Sequence, residues 1–237
     1  MAFGRLAAAA GAVAGQLFLA SGAMAVVSLV CSLFARERRV RLSLHRARWT
    51  FRTGLISVDA LPMGWMAFCL GLGIGPVNTF LSIFATSRGI ENRGVFFSVQ
   101  AMALLLSRTF AGRVADRYGR ALVIVPGLVS AALAIVLLPF AISIASFLVS
   151  AVLWGTGFGC TQPATMALLV DRVRGEERGV ALSTFFMGFD IGIGLGAVGR
   201  DFVSQTFGWE VMWPISAVCV LLGLLELRGR PGRRSDA

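Results

Sequence analysis

The feature that most restricts this chain is a series of apolar runs of about 20 residues or more, each long enough to cross a hydrocarbon core roughly 30 Å thick. Short arginine-bearing segments separate them. Of the 237 residues, 57% are hydrophobic and only 14% are charged, well below the charged share of a soluble domain. Inside a bilayer the backbone must satisfy its own hydrogen bonds, which leaves helices or closed barrels. No stretch alternates apolar and polar residues between turn signals, which argues against a barrel. The expected fold is therefore all-α, a polytopic membrane bundle of about seven transmembrane helices. Their expected spans are 4–34, 55–87, 90–111, 121–141, 143–170, 179–206 and 210–228. The first run is too long for the h-region of a signal peptide, and its positive cluster follows it instead of preceding it.

The net charge of +10 does not point to nucleic acid, because the basic residues sit in short clusters between apolar runs, as membrane loops do. All 22 basic residues are arginine. With no lysine, a retinal Schiff base is excluded. Seven arginines (Arg36, Arg38, Arg39, Arg41, Arg46, Arg48, Arg52) crowd 35–54, and Arg113, Arg117 and Arg120 lie in 112–121. Arg172, Arg174 and Arg178 lie in 171–178, and Arg228, Arg230, Arg233 and Arg234 at the C-terminus. With seven alternating helices, these four segments fall on one side. The positive-inside rule makes that side cytoplasmic, with the N-terminus outside, in a plasma or inner membrane. The cysteines Cys31, Cys69, Cys160 and Cys219 stand singly in apolar runs without metal or redox spacing, as packing residues do. No metal or cofactor is expected.

Residues 112–121 read GRVADRYGRA. A positive-inside loop explains the arginines but not the acid and two glycines at these offsets. Gly112 would let a helix end approach a neighbour, Asp116 would approach a helix N-terminus, and Gly119 would permit a tight reversal. Arg117 and Arg120 would pair with acids or with last-turn carbonyls.

These residues resemble the signature turn of the major facilitator superfamily, G-x-x-x-D-R-x-G-R-R, which joins the second and third helices of each six-helix half. Gly112, Asp116, Arg117, Gly119 and Arg120 match it; Ala121 departs from the final basic position. Further likeness lies in DRVRGEERG at 171–179 and in TFFMGFDIGIGLG at 184–196, which is similar to the fifth helix of bacterial efflux members. The resemblance implies a division of the chain. Residues 1–34 become the sixth helix of a full transporter, 35–54 the basic cytoplasmic linker, 55–228 a complete C-terminal six-helix half, and 229–237 a basic cytoplasmic tail. Five helices of the full family pattern then lie outside this sequence. In the family the substrate site lies between two halves near the midplane, so this chain supplies one wall.

Ionisable groups within membrane helices are costly and are functional candidates by default. Asp190, expected on the order of 16 Å into its helix, reads as a protonation site or a counter-charge for a cationic solute. A structural ion pair or hydrogen bond is the equal alternative. Arg108, expected one turn before the charged loop, could snorkel to the interface, pair with Asp190 or meet a substrate anion. Asn78, Gln100 and Gln162 are amides in apolar runs, read chiefly as interhelical hydrogen-bonding groups and secondarily as solute contacts. In GLGIGP, the residues Gly71, Gly73, Gly75 and Pro76 read as a hinge with a kink or local unwinding, with close helix packing through small residues as the alternative. The clusters Gly155, Gly157, Gly159 and Gly192, Gly194, Gly196 read as close-packing glycines.

Two function classes follow. The first is a secondary transporter, or its C-terminal part, moving a small organic solute outward by proton exchange, with the lipid bilayer, the solute and protons as partners. An N-terminal half or a second copy of the chain would supply the opposite wall. The alternative is a truncated, non-transporting remnant or interaction subunit. An enzyme is not expected: His45 is the only histidine and no acid/base or metal constellation surrounds it.

Overall fold

The computed structural model describes residues 19, 21–32, 57–90 and 93–228. The chain divides into two units, Met1–Arg48 and Trp49–Ala237. In the first, an apolar helix α1 spans Ser21–Ser32. The rest of the expected first helix, the basic segment 35–54, His45 and the tail 229–237 lie outside the described residues.

The second unit is a bundle of α-helices: α2 (Leu61–Ser87), α3 (Arg93–Tyr118), α4 (Ala121–Leu137), α5 (Ile144–Arg172), α6 (Arg178–Phe207) and α7 (Trp209–Leu222), closed by the short α8 (Leu225–Arg228). Six helical spans, counting short 3₁₀ extensions and α8 with their neighbours, are long and apolar enough to cross a membrane. No strand occurs among the described residues. The helices start and stop where local chemistry requires. Ser143 caps α5, its hydroxyl accepting from the Ser146 N–H at 3.3 Å while the Ser146 hydroxyl accepts from the Ser143 N–H at 3.2 Å. Gly208 (φ +83°) separates α6 from α7.

The largest difference from expectation concerns α3. It does not stop at 111 but runs to Tyr118, because nothing in RVADRY breaks a helix. Arginine is a good helix former and the breaker, Gly119, comes later. The charged segment is thus mostly helix, and the reversal is confined to Gly119 and Arg120. Gly119 adopts φ +97°, a conformation that glycine takes without a Cβ penalty.

Helix association inside a bilayer lacks a hydrophobic drive and rests on close van der Waals approach, which small residues permit. The α2–α6 crossing shows this. Gly188, Gly192 and Gly196 follow one another every fourth residue down one face of α6. A methyl added to Gly188 would strike the Gly64 carbonyl oxygen of α2, and one on Gly192 the Phe68 carbonyl oxygen. One on Gly196 would sit 2.9 Å from the Leu72 carbonyl oxygen. Gly71 and Gly75 answer from α2, facing the backbone at Phe189 and Ile193.

On α5, Gly155 and Gly159 face α3 at Gln100 and Leu104, while Gly157 faces Gly127 and Ala131 of α4. Phe158 of α5 stacks on Phe189 of α6 with ring centroids 6.2 Å apart. Trp154 is fully buried beside Phe158, and Trp213 of α7 is fully buried against Phe84 of α2.

Two readings of the glycines change accordingly. α2 continues unbroken through Pro76 from Leu61 to Ser87, so the local unwinding expected at Gly71, Gly73, Gly75 and Pro76 is not present. Gly71 and Gly75 pack α6 closely, and Gly73 packs against Val220 of α7 and Ile135 of α4. Gly194, grouped by sequence with the packing glycines, has nothing within 4 Å of an added methyl.

A polar layer and a charged turn

α3 ends where α4 begins, and α5 ends where α6 begins, so Tyr118, Ala121, Arg172 and Arg178 mark one end of the bundle. The two sequence motifs meet there. The Arg120 guanidinium donates from Nε to Asp171 Oδ2 at 2.6 Å, joining the α3–α4 turn to the last turn of α5. Asp171 belongs to the segment DRVRGEERG, and its partnership with Arg120 was not specified by sequence. Two acids near one turn cannot be ranked without knowing which helix ends adjoin.

The other turn residues serve differently. Arg117 lies over the ring of Tyr118, 5.4 Å from its centroid. Asp116 is exposed and has no hydrogen bond or ion pair among the described residues. Gly112 is exposed in mid-helix with nothing within 4 Å of an added methyl. The close approach expected of it is therefore absent within this unit. At the far end of the bundle, Arg88 reaches Glu210 at 3.8 Å and lies over Phe84.

The longer α3 also moves Arg108. It stands ten residues before Tyr118, hence about 15 Å from the helix end at 1.5 Å per residue, far deeper than one turn. Its guanidinium donates to Gln162 Oε1 of α5 at 2.9 Å. Gln162 is itself ten residues before Arg172, again about 15 Å deep. Asp190, twelve residues after Arg178, is about 18 Å from the same end.

Arg108, Gln162 and Asp190 therefore occupy one layer. Asp190 makes no ion pair with Arg108, and no polar partner for it occurs among the described residues. It is exposed, on the side of α6 turned away from the glycines that meet α2.

Asn78 and Gln100 lie deeper, about 25 and 27 Å from that end by the same rise. Asn78 is exposed on α2. Gln100 Oε1 is buried without a hydrogen-bond partner among the described residues; the interhelical bond expected for it is not formed by this atom.

Both α3 and α6 leave a face uncovered by the rest of the unit. On α3 the exposed residues Gly94, Ser98, Ala101, Leu105, Arg108 and Gly112 recur at steps of three and four. On α6 Ser183, Met187, Asp190, Gly194, Val198 and Asp201 do the same. Small and polar side chains dominate both faces. A helix face meant only for lipid would carry large apolar residues instead.

The comparisons agree with this architecture. The profile of the Major Facilitator Superfamily matches residues 63–236. An uncharacterized MFS-type transporter of Salmonella typhimurium is 26% identical over 153 residues, covering 65% of this chain and 39% of that protein. The multidrug resistance protein MdtG of Dickeya zeae is 29% identical over 182 residues, covering 72% of this chain and 44% of MdtG. The synaptic vesicular amine transporter of Rattus norvegicus is 30% identical over 139 residues, covering 56% and 26% respectively.

Among solved structures, the POT family transporter PepTSo matches with a TM-score of 0.62 and 17% identity, over 71% of this chain and 36% of that one. The chain thus spans less than half the length of these relatives. With six membrane-crossing helices, the signature turn and a profile match over most of its length, the chain belongs to the major facilitator superfamily.

Proposed function

We propose that this chain works within a secondary transporter of the cell membrane that moves a small organic solute outward in exchange for protons by alternating access. Residues 55–228 act as the C-terminal half, with residues 1–34, 35–54 and 229–237 as sixth helix, cytoplasmic linker and cytoplasmic tail. An N-terminal half or a second copy of the chain supplies the opposite wall. The observation that carries this reading is Asp190, without a polar partner among the described residues, near the middle of α6 and level with the Arg108–Gln162 pair. A membrane-embedded acid without a partner is expensive, and its cost falls when it faces water, a proton or a cationic solute.

In this mechanism Asp190 carries the proton or the solute's positive charge. Gln162 holds the Arg108 guanidinium in place beside the route. The arginine-rich end faces the cytoplasm, in line with the positive-inside rule. The relatives named for multidrug resistance and for amine transport support an organic and often cationic solute. Arg120 and Asp171 hold the α3–α4 turn against α5, so that rocking moves these helices together.

The test is uptake of ethidium into inverted membrane vesicles driven by a pH gradient, with the full chain and any covering half present. Asp190→Asn abolishes gradient-driven uptake and leaves membrane insertion unchanged. Retained proton coupling in that variant removes Asp190 from the mechanism. Failure of the unmodified protein to move any of a panel of organic cations supports the non-transporting alternative.

A further inference from the structure

We infer that the outer groove between α3 and α5, together with Arg113 and Arg117, is a binding site for one anionic phospholipid. The groove has a volume of about 360 Å³ and is lined by Val99, Met102, Leu106 and Phe110 of α3 and by Val152 and Thr156 of α5, among others. Its position on the outside follows from the faces of α5 already in use. Gly155 and Gly159 take α3 and Gly157 takes α4. Phe158 meets α6 at Phe189, and Thr165 meets Met66 of α2. The face carrying Val152 and Thr156 is what remains at 3.6 residues per turn, and it looks away from α2 and α6.

The length and the charge of the groove identify its occupant. Val99 and Phe110 are eleven residues apart on α3, roughly 16 Å at 1.5 Å per residue. That is about half of a hydrocarbon core roughly 30 Å thick, one leaflet. The same stripe, at steps of three and four, then continues through Arg113 and Arg117 to the end of the helix. Both guanidinium groups are exposed, and neither makes an ion pair among the described residues. Arg120 is unavailable, being held by Asp171. Asp116, the acid nearest in sequence, pairs with neither arginine among the described residues.

An acyl chain therefore fits the apolar stripe. An anionic headgroup meets two arginines at the boundary, where basic side chains attract negative lipid at about 1 kcal/mol each, or about fivefold in affinity. The site is separate from the polar layer of Arg108, Gln162 and Asp190 and does not depend on it.

Native mass spectrometry of the detergent-solubilised chain, titrated with phosphatidylglycerol and separately with phosphatidylcholine, tests the assignment. The unmodified protein retains phosphatidylglycerol preferentially, and the double variant Arg113→Gln, Arg117→Gln loses about thirtyfold of that preference. The double variant Arg172→Gln, Arg174→Gln, with the same charge change elsewhere at that end, keeps it. Thr156→Phe, which fills the groove, lowers retention of both lipids.

Equal losses in the two double variants would reduce the effect to overall basicity and overturn the site. So would the absence of any preference in the unmodified protein. Complete displacement of the lipid by inorganic phosphate would show an anion site without an acyl-chain site, and would overturn the lipid assignment as well.

Discussion

Single residues in this protein act through which face of a helix they occupy, and the glycines show it most clearly. Gly192 and Gly194 are two positions apart, yet one is pressed against the Phe68 carbonyl of α2 and the other faces open space. Gly192→Leu overpacks the α2–α6 crossing and lowers stability by about 1–3 kcal/mol. Gly194→Ala meets nothing and is neutral or raises stability by up to about 1 kcal/mol through helix propensity. Thermal unfolding of the two purified variants checks both outcomes. Sequence showed that α6 is glycine-rich but not which glycines pack. The run GIGLG looks like one unit, which hides Gly188 and includes Gly194, whereas the packing set keeps a four-residue step through Gly188, Gly192 and Gly196.

At the scale of elements, the six spans from α2 to α7 and most of their boundaries were legible, because charged residues interrupt the apolar runs at the α5–α6 turn and Gly208 separates α6 from α7. The end of α3 was not. Arg113, Asp116 and Arg117 look like loop residues by polarity, but long charged side chains continue a helix into the interface while their heads reach water. Polarity marks where the membrane stops, and only Gly119 marks where the helix does.

That error carried into the site. Arg108 was placed near the surface when α3 holds it about 15 Å from the helix end, where it reaches Gln162. Both residues stand out separately in the sequence, but their pairing depends on how α3 and α5 align, which no local pattern records. Likewise the unwinding expected at Pro76 did not follow, since neighbouring helices let a membrane helix tolerate a proline without breaking.

The Arg120–Asp171 contact belongs to this scale too, since it ties one inter-helix turn to another. Both partners are partly solvent-exposed, so its contribution is modest. A double-mutant cycle with Arg120→Gln and Asp171→Asn gives a coupling of at most about 1 kcal/mol in unfolding, and it shrinks as salt is raised. A larger coupling that ignores salt would mean that the pair is screened from water by something other than the described helices.

For the whole molecule, the bundle presents two kinds of exposed face. The outer groove between α3 and α5 is apolar and as long as one leaflet. The stripes on α3 and α6 that carry Arg108 and Asp190 are small and polar. In the proposed transporter the second kind faces an aqueous route and the first faces lipid. Asp190 and Leu106 permit a direct comparison, because each lies twelve residues from the same end of the bundle, about 18 Å deep. They differ only in the face they occupy. With the four native cysteines replaced, single variants Asp190→Cys and Leu106→Cys are exposed in intact membranes to a membrane-impermeant maleimide. Rapid labelling is expected at position 190 and none at position 106. Equal reactivity at the two positions, or labelling at 106 alone, would contradict an aqueous route along the α6 face that carries Asp190.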